Sequence, residues 1–351
     1  MNADAVRLVI TDSTPRLEQL LDFALEDIRF AAASGEELCQ GALRKKRLLF
    51  AIGVDELGMG AETLALVRCL RRHPDSLKEA CAVVLVDGHG ELYTKQAAQA
   101  LVLAANLAGC LFPGKPLVEG TGSLYNQHIL AARWGLSPEE TYFLRSRELV
   151  QRLLDFTPPK SRRPRILMLH ASDNHRSNTV AMGNRVLEHL EPYCDEKTMG
   201  LQNGSICDCR GCSYKACLHY SQNGTCYYGG PLPTEVFPAI LESDAVLLLC
   251  PNYNDAPSAN IMALINRMTG LLLQQPLYDK YLYSIIVSGY SGGDLVARQV
   301  LGALSLNKTM MLPPHFCLFQ TANDPGTAMA DPDIPLRLEH WSRRILDQLI
   351  S

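Results

Sequence analysis

The sequence predicts an α/β protein built from doubly wound parallel sheets. Short apolar runs of strand length alternate with segments whose apolar residues recur at helical spacing, and the connections between them are short. The run 245–250 is apolar throughout, as expected of a strand buried on both faces of a parallel sheet. With 351 residues the chain exceeds one ordinary domain, so we expect two.

Two halves of the chain repeat the same order of elements. In the second half, strands are expected at residues 165–170, 245–250, 283–289 and 316–320, with helices at 179–190, 259–273 and 295–304. In the first half, strands are expected at 7–11, 47–53, 82–88 and 116–119, with helices at 17–27, 62–71 and 94–107. We interpret this repetition as a duplicated α/β unit, although any two series of βα repeats look broadly alike.

The predicted domains are residues 1–156 and 165–351, joined by a linker at 157–164. Proline and charge dominate the linker, and both oppose helix and strand. The first domain is expected to be a degenerate copy without a cofactor, because its first loop is short and it lacks a thiol-rich segment. Ligands bind parallel sheets at the carboxyl ends of the strands, where the strand order reverses, so we expect the site at that edge of the second domain.

Composition excludes several classes of function. A net charge of −4 with no basic run argues against a nucleic-acid surface. No apolar stretch approaches the roughly 20 residues of a membrane span. The first residues lack the features of a signal peptide, so we expect a cytoplasmic protein with reduced thiols. Seven of the twelve cysteines are scattered in apolar contexts and are expected to be inert buried thiols: Cys39, Cys69, Cys81, Cys110, Cys194, Cys250 and Cys317.

The loop after the strand at 165–170 has the composition of a phosphate-binding loop. Serine, threonine and asparagine side chains precede a predicted helix, whose first backbone N–H groups point outward and attract anions. An ordinary helix cap would also use these residue types, but the loop has more of them than a cap requires. The residues concerned are Ser172, Asn174, Arg176, Ser177, Asn178 and Thr179.

Two further loops are expected at the same sheet edge. The loop after residue 250 places an aromatic ring beside amide side chains, which suits a flat heterocycle. The loop after residue 287 is rich in glycine, which allows close approach of the backbone to a ring. Each loop alone is also typical of a strand-to-helix turn. The candidate residues are Pro251, Asn252, Tyr253, Asn254 and Ser258, followed by Ser288, Gly289, Tyr290, Gly292 and Gly293.

Five cysteines lie within residues 207–226, between the first two loops. Cys209, Cys212, Cys217 and Cys226 could supply four thiolates to a [4Fe–4S] cluster, and Cys207 is an extra thiol. The same four could hold a structural zinc ion. Free thiols or a regulatory disulfide are the third alternative.

On these residues, the second half resembles the NADPH-dependent FMN reductase family, and within it the iron–sulfur flavoproteins. Ser172 with 177–179 resembles the family's phosphate loop, and 209–226 resembles its cysteine loop. Residues 251–253 with 258–259 and 265–270 resemble its Pro-x-Tyr loop and following helix, and 287–293 resembles its third flavin loop. The resemblance covers about residues 163–325. Asp173 and Asn174 depart from the family pattern of a proline and a basic residue, and the cysteine spacing is longer than usual.

The resemblance implies a flavodoxin-like five-stranded sheet, bound FMN, and NADPH or NADH as electron donor. It also implies a small-molecule or ferredoxin-like redox partner, and a homodimer, since a neighbouring chain usually covers the flavin in this family. No catalytic side chain is assigned, because the flavin carries the hydride chemistry. Three functions remain open. The first is an FMN-dependent oxidoreductase or electron-transfer flavoprotein with an iron–sulfur cluster. The others are an NAD(P)H-dependent flavin or quinone reductase with structural cysteines, and a non-catalytic electron carrier or interaction module.

Overall fold

The computed structural model describes residues 6–172, 176–202, 204–222 and 225–351. The chain divides into two compact units, the first ending at Thr157 and the second beginning at Pro158. Among the described residues, no helix combines the length and apolar character that crossing a membrane requires.

The first unit alternates strands and helices as predicted. Its elements are β1 (Val6–Thr11), α1 (Pro15–Leu25), β2 (Phe30–Ala32), α2 (Gly35–Cys39), β3 (Arg47–Asp55), β4 (Gly58–Met59), α3 (Ala61–Arg72), β5 (Cys81–Gly88), α4 (Thr94–Leu107), β6 (Leu117–Gly120), α5 (His128–Trp134) and α6 (Pro138–Asp155). Several helices begin at a residue whose side chain caps the first backbone N–H groups. Ser137 and Glu140, for example, form a reciprocal capping box at the start of α6.

The second unit has the same alternation. Its elements are β7 (Arg165–His170), α7 (Asn178–Leu190), β8 (Asp195–Gly200), α8 (Tyr214–Ser221), α9 (Phe237–Glu242), β9 (Ala245–Pro251), α10 (Ala259–Arg267), α11 (Thr269–Gln274), β10 (Tyr281–Ser288), α12 (Gly293–Leu301), β11 (Cys317–Thr321) and α13 (Ile334–Leu349). Single π-helical turns at Leu232–Val236 and Gly302–Leu306 precede α9 and follow α12.

The two sheets share one strand order. The first sheet runs β2-β1-β3-β5-β6 and the second runs β8-β7-β9-β10-β11, and every pair along these paths is parallel. Counted along each unit without β4, both orders are 2-1-3-4-5, which is the flavodoxin-like order. The predicted doubly wound α/β fold is therefore confirmed, and two sheets of one order are consistent with a duplicated domain.

Three strands were missed by the sequence pattern. β2 and β8 are sheet edges, and the side chains of β8 are mostly polar and exposed, so neither strand carries a run of buried apolar residues. β4 is a two-residue strand that pairs antiparallel with β3, so the first sheet has six strands rather than five. The helix expected at 259–273 is divided at Met268 into α10 and α11.

Residues 158–164, expected to form a linker, are held by the second unit. The carbonyl of Pro159 accepts a hydrogen bond of 3.0 Å from the hydroxyl of Tyr281. Ser161 pairs with Ile350 in an isolated parallel bridge, and Lys160 Nζ donates to the carbonyl of Asp347 at 3.0 Å. The segment that carries proline and charge is thus bonded to the end of α13 and to β10.

The core of each unit lies between its sheet and its helices. In β3, the residues 48–54 are all buried, and in β5 the residues 82–88 are all buried. Tyr142 of α6 is fully buried in the first unit and donates its hydroxyl to the carbonyl of Val86 at 2.8 Å. In the second unit, Trp341 of α13 packs edge-on against the buried ring of Tyr283 in β10. Strands buried on both faces explain why the apolar runs were readable in the sequence.

An ion pair closes the carboxyl edge of the first sheet. Arg16 Nε lies 2.7 Å from Asp87 Oδ1, and the two Nη atoms of Arg16 donate to three main-chain carbonyls that follow β5 and β6, each at 3.0 Å. Asp87 is 3% exposed and also accepts a hydrogen bond from the hydroxyl of Thr14 at 2.6 Å. The guanidinium therefore occupies the position between the first and third loops of this unit.

The first loop of this unit is also used internally. Asp12 Oδ2 accepts hydrogen bonds from the backbone N–H and the hydroxyl of Thr63 at 2.8 and 2.6 Å, and Asp12 Oδ1 accepts from the N–H of Glu62 at 3.2 Å. Asp12 thus caps the start of α3 from a neighbouring loop. The charged side chains of Arg16, Asp87 and Asp12 are therefore all bonded to groups of the first unit itself.

Replacing Arg16 by alanine is expected to destabilise the first unit by about 3 kcal/mol, because the buried Asp87 carboxylate loses its counter-charge. The measurement is chemical denaturation followed by circular dichroism. Lys45→Ala serves as control, since Lys45 pairs with Glu79 at 3.4 Å and both side chains are more than half exposed. That variant is expected to change the free energy of unfolding by less than about 1 kcal/mol. Equal effects of the two variants would contradict the structural role of Arg16.

Candidate functional site

A cleft of about 320 Å³ opens at the carboxyl edge of the second sheet. It lies where β7 and β9 are neighbours although they are not consecutive strands, the point at which the strand order reverses. Four loops contribute to its walls, one after each of β7, β9, β10 and β11. The lining residues are Ser172, Arg176, Ser177, Asn178, Thr179, Pro251, Asn252, Tyr253, Val287, Gly289, Ala322, Asn323 and Pro325.

The first loop brings a helix start and free hydroxyl oxygen to the cleft. Ser177 caps α7, its Oγ accepting from the N–H of Val180 at 3.3 Å and lying 2.8 Å from the hydroxyl of Thr179. Ser172 Oγ is buried and has no hydrogen-bond partner among the described residues. A buried polar atom without a partner costs free energy, so a ligand that supplies the missing partner is favoured here. Of the described lining residues, only Arg176 is charged, which favours an anion.

The side chain of Asn178 joins the first loop to the loop after β11. Its Nδ2 donates to the carbonyl of Asp324 at 2.9 Å, and its Oδ1 accepts from the N–H of Ala328 at 3.3 Å. The side chain is 9% exposed and is therefore committed to the loop that follows β11. Asn178 also lines the cleft, and its amide positions the neighbouring wall.

The second loop turns back on itself. Tyr253 and Ala256 are joined by two backbone hydrogen bonds of 3.0 and 3.2 Å, and the two residues between them have positive φ, 52° at Asn254 and 61° at Asp255. This is a turn of type I′, in which asparagine and aspartate are favoured. Pro251, Asn252 and Tyr253 line the cleft, and the Tyr253 side chain is 56% exposed. Asn254 and Ser258 were expected at the site and do not line it.

Asn252 joins the second loop to the third. Its Nδ2 donates to the carbonyl of Ser291 at 2.8 Å and to the hydroxyl of Ser288 at 3.2 Å. Gly292 has φ of 81°, and a Cβ there would lie 1.9 Å from Asp255 Oδ1, so only glycine allows the two loops to approach so closely. Gly289 lines the cleft, whereas the other predicted residues of this loop do not: Ser288, Tyr290, Gly292 and Gly293.

The fourth wall was missed in the sequence. Ala322, Asn323 and Pro325 follow β11 and line the cleft, together with Val287 at the end of β10. A Cβ at Gly289 would lie 2.8 Å from Asn323 Oδ1, so this loop packs directly on the third one. The only available signal was position, because the segment follows the last parallel strand and must emerge at the same edge. Asn174 was also predicted at the site, and it lies outside the described residues together with Asp173 and His175.

The structure does not gather the four predicted metal ligands. In the part of the chain that is described, ligand atoms of three potential metal-binding residues lie within 4.8 Å of one another in one group, and that group contains none of Cys209, Cys212, Cys217 and Cys226. The two middle thiols are separated by the start of α8, whose first residue is Tyr214. The described geometry therefore does not form the expected four-thiolate centre. Asn223 and Gly224, between Cys217 and Cys226, lie outside the described residues.

A buried arginine anchors the thiol-rich segment instead. Arg267, at the end of α10, is 4% exposed. Its Nη1 lies 3.2 Å from both the carbonyl oxygen and the Sγ of Cys207, and its Nη2 donates to the carbonyl of Gly229 at 2.6 Å. The guanidinium of Arg267 therefore connects α10 to the first residue of the segment and to Gly229, just after its end. This contact gives the basic residue in the run 265–270 a structural role.

The buried side chain of His170 forms a hydrogen bond to the backbone of the first loop. His170 ends β7, is 3% exposed, and its Nδ1 lies 3.1 Å from the carbonyl oxygen of Ser172. Because a carbonyl oxygen can only accept a hydrogen bond, Nδ1 carries the proton. The ring is neutral when Nε2 is not protonated. Burial lowers the pKa of His170, because the charged form loses hydration.

Comparison with known proteins gives one family match, which lies within the second unit. Residues 164–324 match the family model described as NADPH-dependent FMN reductase. This confirms the predicted resemblance over that segment, and the predicted class, an NAD(P)H-dependent oxidoreductase, is confirmed at this level. The sequence matches no curated protein.

Several solved structures are similar to this chain. An NADH:FMN oxidoreductase in its apo form is 14% identical, with 54% of this chain and 91% of that chain covered and a TM-score of 0.38. A putative quinone reductase from Klebsiella pneumoniae is 13% identical, with coverage of 52% and 83% and a TM-score of 0.36. Rubredoxin oxygen:oxidoreductase from Desulfovibrio gigas is 12% identical, with coverage of 86% and 81% and a TM-score of 0.34.

Replacing Asn178 by alanine is expected to free the loop after β11 and to cost about 1–3 kcal/mol, because the buried N–H of Ala328 loses its acceptor. Hydrogen exchange of residues 322–330 should then accelerate while exchange in β7 is unchanged. Arg185→Ala is the control, because Arg185 of the same helix forms an exposed ion pair with Glu188. Unchanged exchange in Asn178→Ala would show that other contacts hold the loop.

The stability of the second unit is expected to fall as the pH drops through about 6.5, the value at which an unfolded histidine takes up a proton. The pKa of His170 is lowered in the folded protein, so the unfolded chain binds more protons in this range and is favoured by acid. Unfolding at pH 5.5 and 7.5 should differ less in His170→Gln than in the wild type. His340→Gln, at an exposed position, should keep the full difference.

Proposed function

We propose that the second unit binds FMN in the cleft and transfers electrons from NADPH or NADH to a small-molecule acceptor. The observation that carries the proposal is the buried Ser172 oxygen without a partner, placed beside the start of α7 in a cleft of about 320 Å³. A volume of this size is within the range of small-molecule and cofactor sites, roughly 300–1,000 Å³. The description of the family matched by residues 164–324 names both FMN and NADPH.

The phosphate of FMN fits the first loop. The backbone N–H groups at the start of α7 and the positive end of its dipole attract a phosphate monoester. Ser172 Oγ supplies a hydroxyl whose hydrogen-bonding capacity the protein leaves unused, and the Arg176 side chain adds a positive charge at the wall. Ser177 and Thr179 hold the helix start in shape through their paired hydroxyls.

The isoalloxazine ring fits the opposite walls. Pro251 and Tyr253 form one side, and the backbone at Gly289 forms another without a side chain in the way. Asn252 Oδ1 is buried and has no partner among the described residues, so it can accept from an N–H of the ring. The hydrogen bonds from Asn252 Nδ2 to the third loop fix the positions of these two walls relative to each other.

When bound, FMN accepts a hydride from the nicotinamide and passes the electrons on, so the protein needs no acid–base residue for the transfer itself. The chain contributes binding and orientation. The walls leave Tyr253 56% exposed and the neighbouring Tyr290 85% exposed, so donor and acceptor can reach the ring from this side. A second copy of the chain could cover the same rings, and we keep a homodimer as part of the proposal.

The geometry favours a flavin or quinone reductase among the alternatives. A cluster-linked electron-transfer protein would need four converging thiolates, and the described cysteines of residues 207–226 do not converge. A ferredoxin-like partner is therefore the less supported acceptor. A non-catalytic carrier would bind FMN without oxidising NADPH or NADH, which an activity assay separates from a reductase.

Replacing Ser172 by alanine is expected to weaken FMN binding by about tenfold to a hundredfold, since one hydrogen bond to a charged phosphate is lost. The free energy of unfolding without FMN should change by less than about 1 kcal/mol, because Ser172 Oγ bonds to no described protein group. FMN affinity is measured by fluorescence quenching, and turnover by anaerobic oxidation of NADPH and NADH with a quinone.

Ser305→Ala is the matched control. Ser305 Oγ is also buried without a described partner, but it lies in the turn after α12 and does not line the cleft. FMN binding should be unchanged in this variant. Absence of FMN binding to the wild type would overturn the proposed function, and equal affinities of wild type and Ser172→Ala would overturn the placement of the phosphate.

A further inference from the structure

A cluster of metal-ligating side chains lies in the first unit, away from any loop that the proposed function uses. Cys39 ends α2, Cys69 lies in the last turns of α3, and His73 follows the end of α3. Their ligand atoms, two sulfurs and one ring nitrogen, all lie within 4.8 Å of one another. The sequence pattern predicted Cys39 and Cys69 to be separate inert thiols. Both are in fact half-buried, and they are joined in a disulfide.

The two cysteines come from helices that pack against each other, and they are 30 residues apart in the chain. The Cα–Cα distance of 5.8 Å is normal for a disulfide. Two thiolates bound to one tetrahedral zinc ion lie about 3.7 Å apart, given Zn–S distances of about 2.3 Å. Rotation of the two Cys side chains can separate the sulfurs this far without moving the helices. The backbone arrangement therefore serves both the disulfide and a metal-bound pair of thiolates.

His73 is held as a metal ligand would be. Its Nδ1 lies 2.9 Å from the carbonyl oxygen of Cys69, four residues earlier. Because a carbonyl oxygen only accepts, Nδ1 carries the proton and Nε2 keeps its lone pair. Histidines that bind metals commonly donate their other ring N–H to such a carbonyl, which fixes the ring. The hydrogen bond therefore selects the tautomer in which Nε2 is the ligand.

The surroundings also suit a cation. The C-terminus of α3 presents backbone carbonyls and the negative end of its dipole, which stabilise positive charge nearby. His73 is exposed, so an ion can enter from solvent. The basic side chains of Arg71 and Arg72 stand in the same turn and oppose a cation, so two thiolates are needed to compensate for them.

We propose that Cys39, Cys69 and His73, when the disulfide is reduced, bind a thiophilic divalent ion such as Zn²⁺ through two thiolates and one imidazole. Water completes the tetrahedral coordination, as in zinc sites with three protein ligands. The two thiols lose their protons on binding, and the disulfide form has no thiolate to offer. Metal binding at this site is therefore switched by exchange with an external dithiol, which is oxidised to its own disulfide as Cys39 and Cys69 become thiols.

The test uses the full chain with the five cysteines of the thiol-rich segment replaced, so that they bind no metal: Cys207→Ser, Cys209→Ser, Cys212→Ser, Cys217→Ser and Cys226→Ser. A phosphine reduces the disulfide, with two thiols and the phosphine oxide as products and the oxygen taken from water. After anaerobic removal of the phosphine, Co²⁺ is titrated and the sulfur-to-cobalt charge-transfer band is recorded. One equivalent should bind, and Zn²⁺ should displace it. The same protein with its disulfide intact should bind none.

Variants at the site separate it from a purely structural disulfide. In the reduced protein, Cys39→Ser should abolish the charge-transfer band of the two-thiolate site, and His73→Gln should weaken Co²⁺ binding by at least about tenfold. Cys81→Ser is the matched control, because Cys81 is a half-buried thiol of the same unit that takes no part in the disulfide. A reduced protein that binds no Co²⁺, or binds it equally well as His73→Gln, would overturn the proposal.

A second measurement keeps the test independent of the five-serine background. In otherwise wild-type protein, reduced samples should bind one more equivalent of Zn²⁺ than the Cys39→Ser variant, as counted by competition with a chromogenic chelator. Equal stoichiometries would also overturn the site. None of these readouts depends on FMN, so failure of the metal site and failure of the proposed flavin function are distinguishable.

Discussion

Each sheet reverses its strand order between its first and third strands, and the polar groups left at that carboxyl edge must find partners. The two units meet this requirement differently. In the first, the guanidinium of Arg16 bonds to Asp87 and to three carbonyls, so the edge is satisfied by the protein itself. In the second, Ser172 Oγ and Asn252 Oδ1 remain buried without described partners, and a cleft opens beside them. One strand order thus supports an edge filled by side chains of its own unit and an edge that opens as a cleft.

The shape of the binding edge depends on amides that face the protein rather than the ligand. Asn178 holds the loop after β11, and Asn252 Nδ2 holds the loop after β10. A cofactor site on loops needs such support, because loops carry fewer fixed contacts than helices and strands. Asn178 and Asn252 therefore both line the cleft and hold its walls in place. A substitution at either residue would change ligand affinity and protein stability together, so another residue is needed to separate the two effects. Ser172 offers that separation because its Oγ bonds to no described protein group.

The cysteines show that proximity in sequence and proximity in space are different quantities. Cysteines crowded into residues 207–226 are spread along a loop and a short helix, and the nearest strong contact of Cys207 is the buried Arg267. By contrast, Cys39 and Cys69 stand apart in the chain and meet because α2 packs on α3. In the metal site that we propose, the redox state of this pair decides whether the first unit binds a divalent ion. The first unit thereby gains a chemistry of its own, although its sheet edge is closed.

The sequence by itself determined the alternation of strands and helices, the parallel sheets and the edge at which three loops meet, because strands buried on both faces leave uninterrupted apolar runs and loops leave polar ones. It also led to the family through the loops after β7, β9 and β10, a resemblance confirmed over residues 164–324. Edge strands such as β8 escaped notice, since an edge buries little. Only the tertiary structure decided that Asn178 turns inward, that the loop after β11 forms a wall, and that Cys39 meets Cys69. Each of these contacts joins segments that are distant in the sequence, and the composition of a single segment does not show which other segment packs against it.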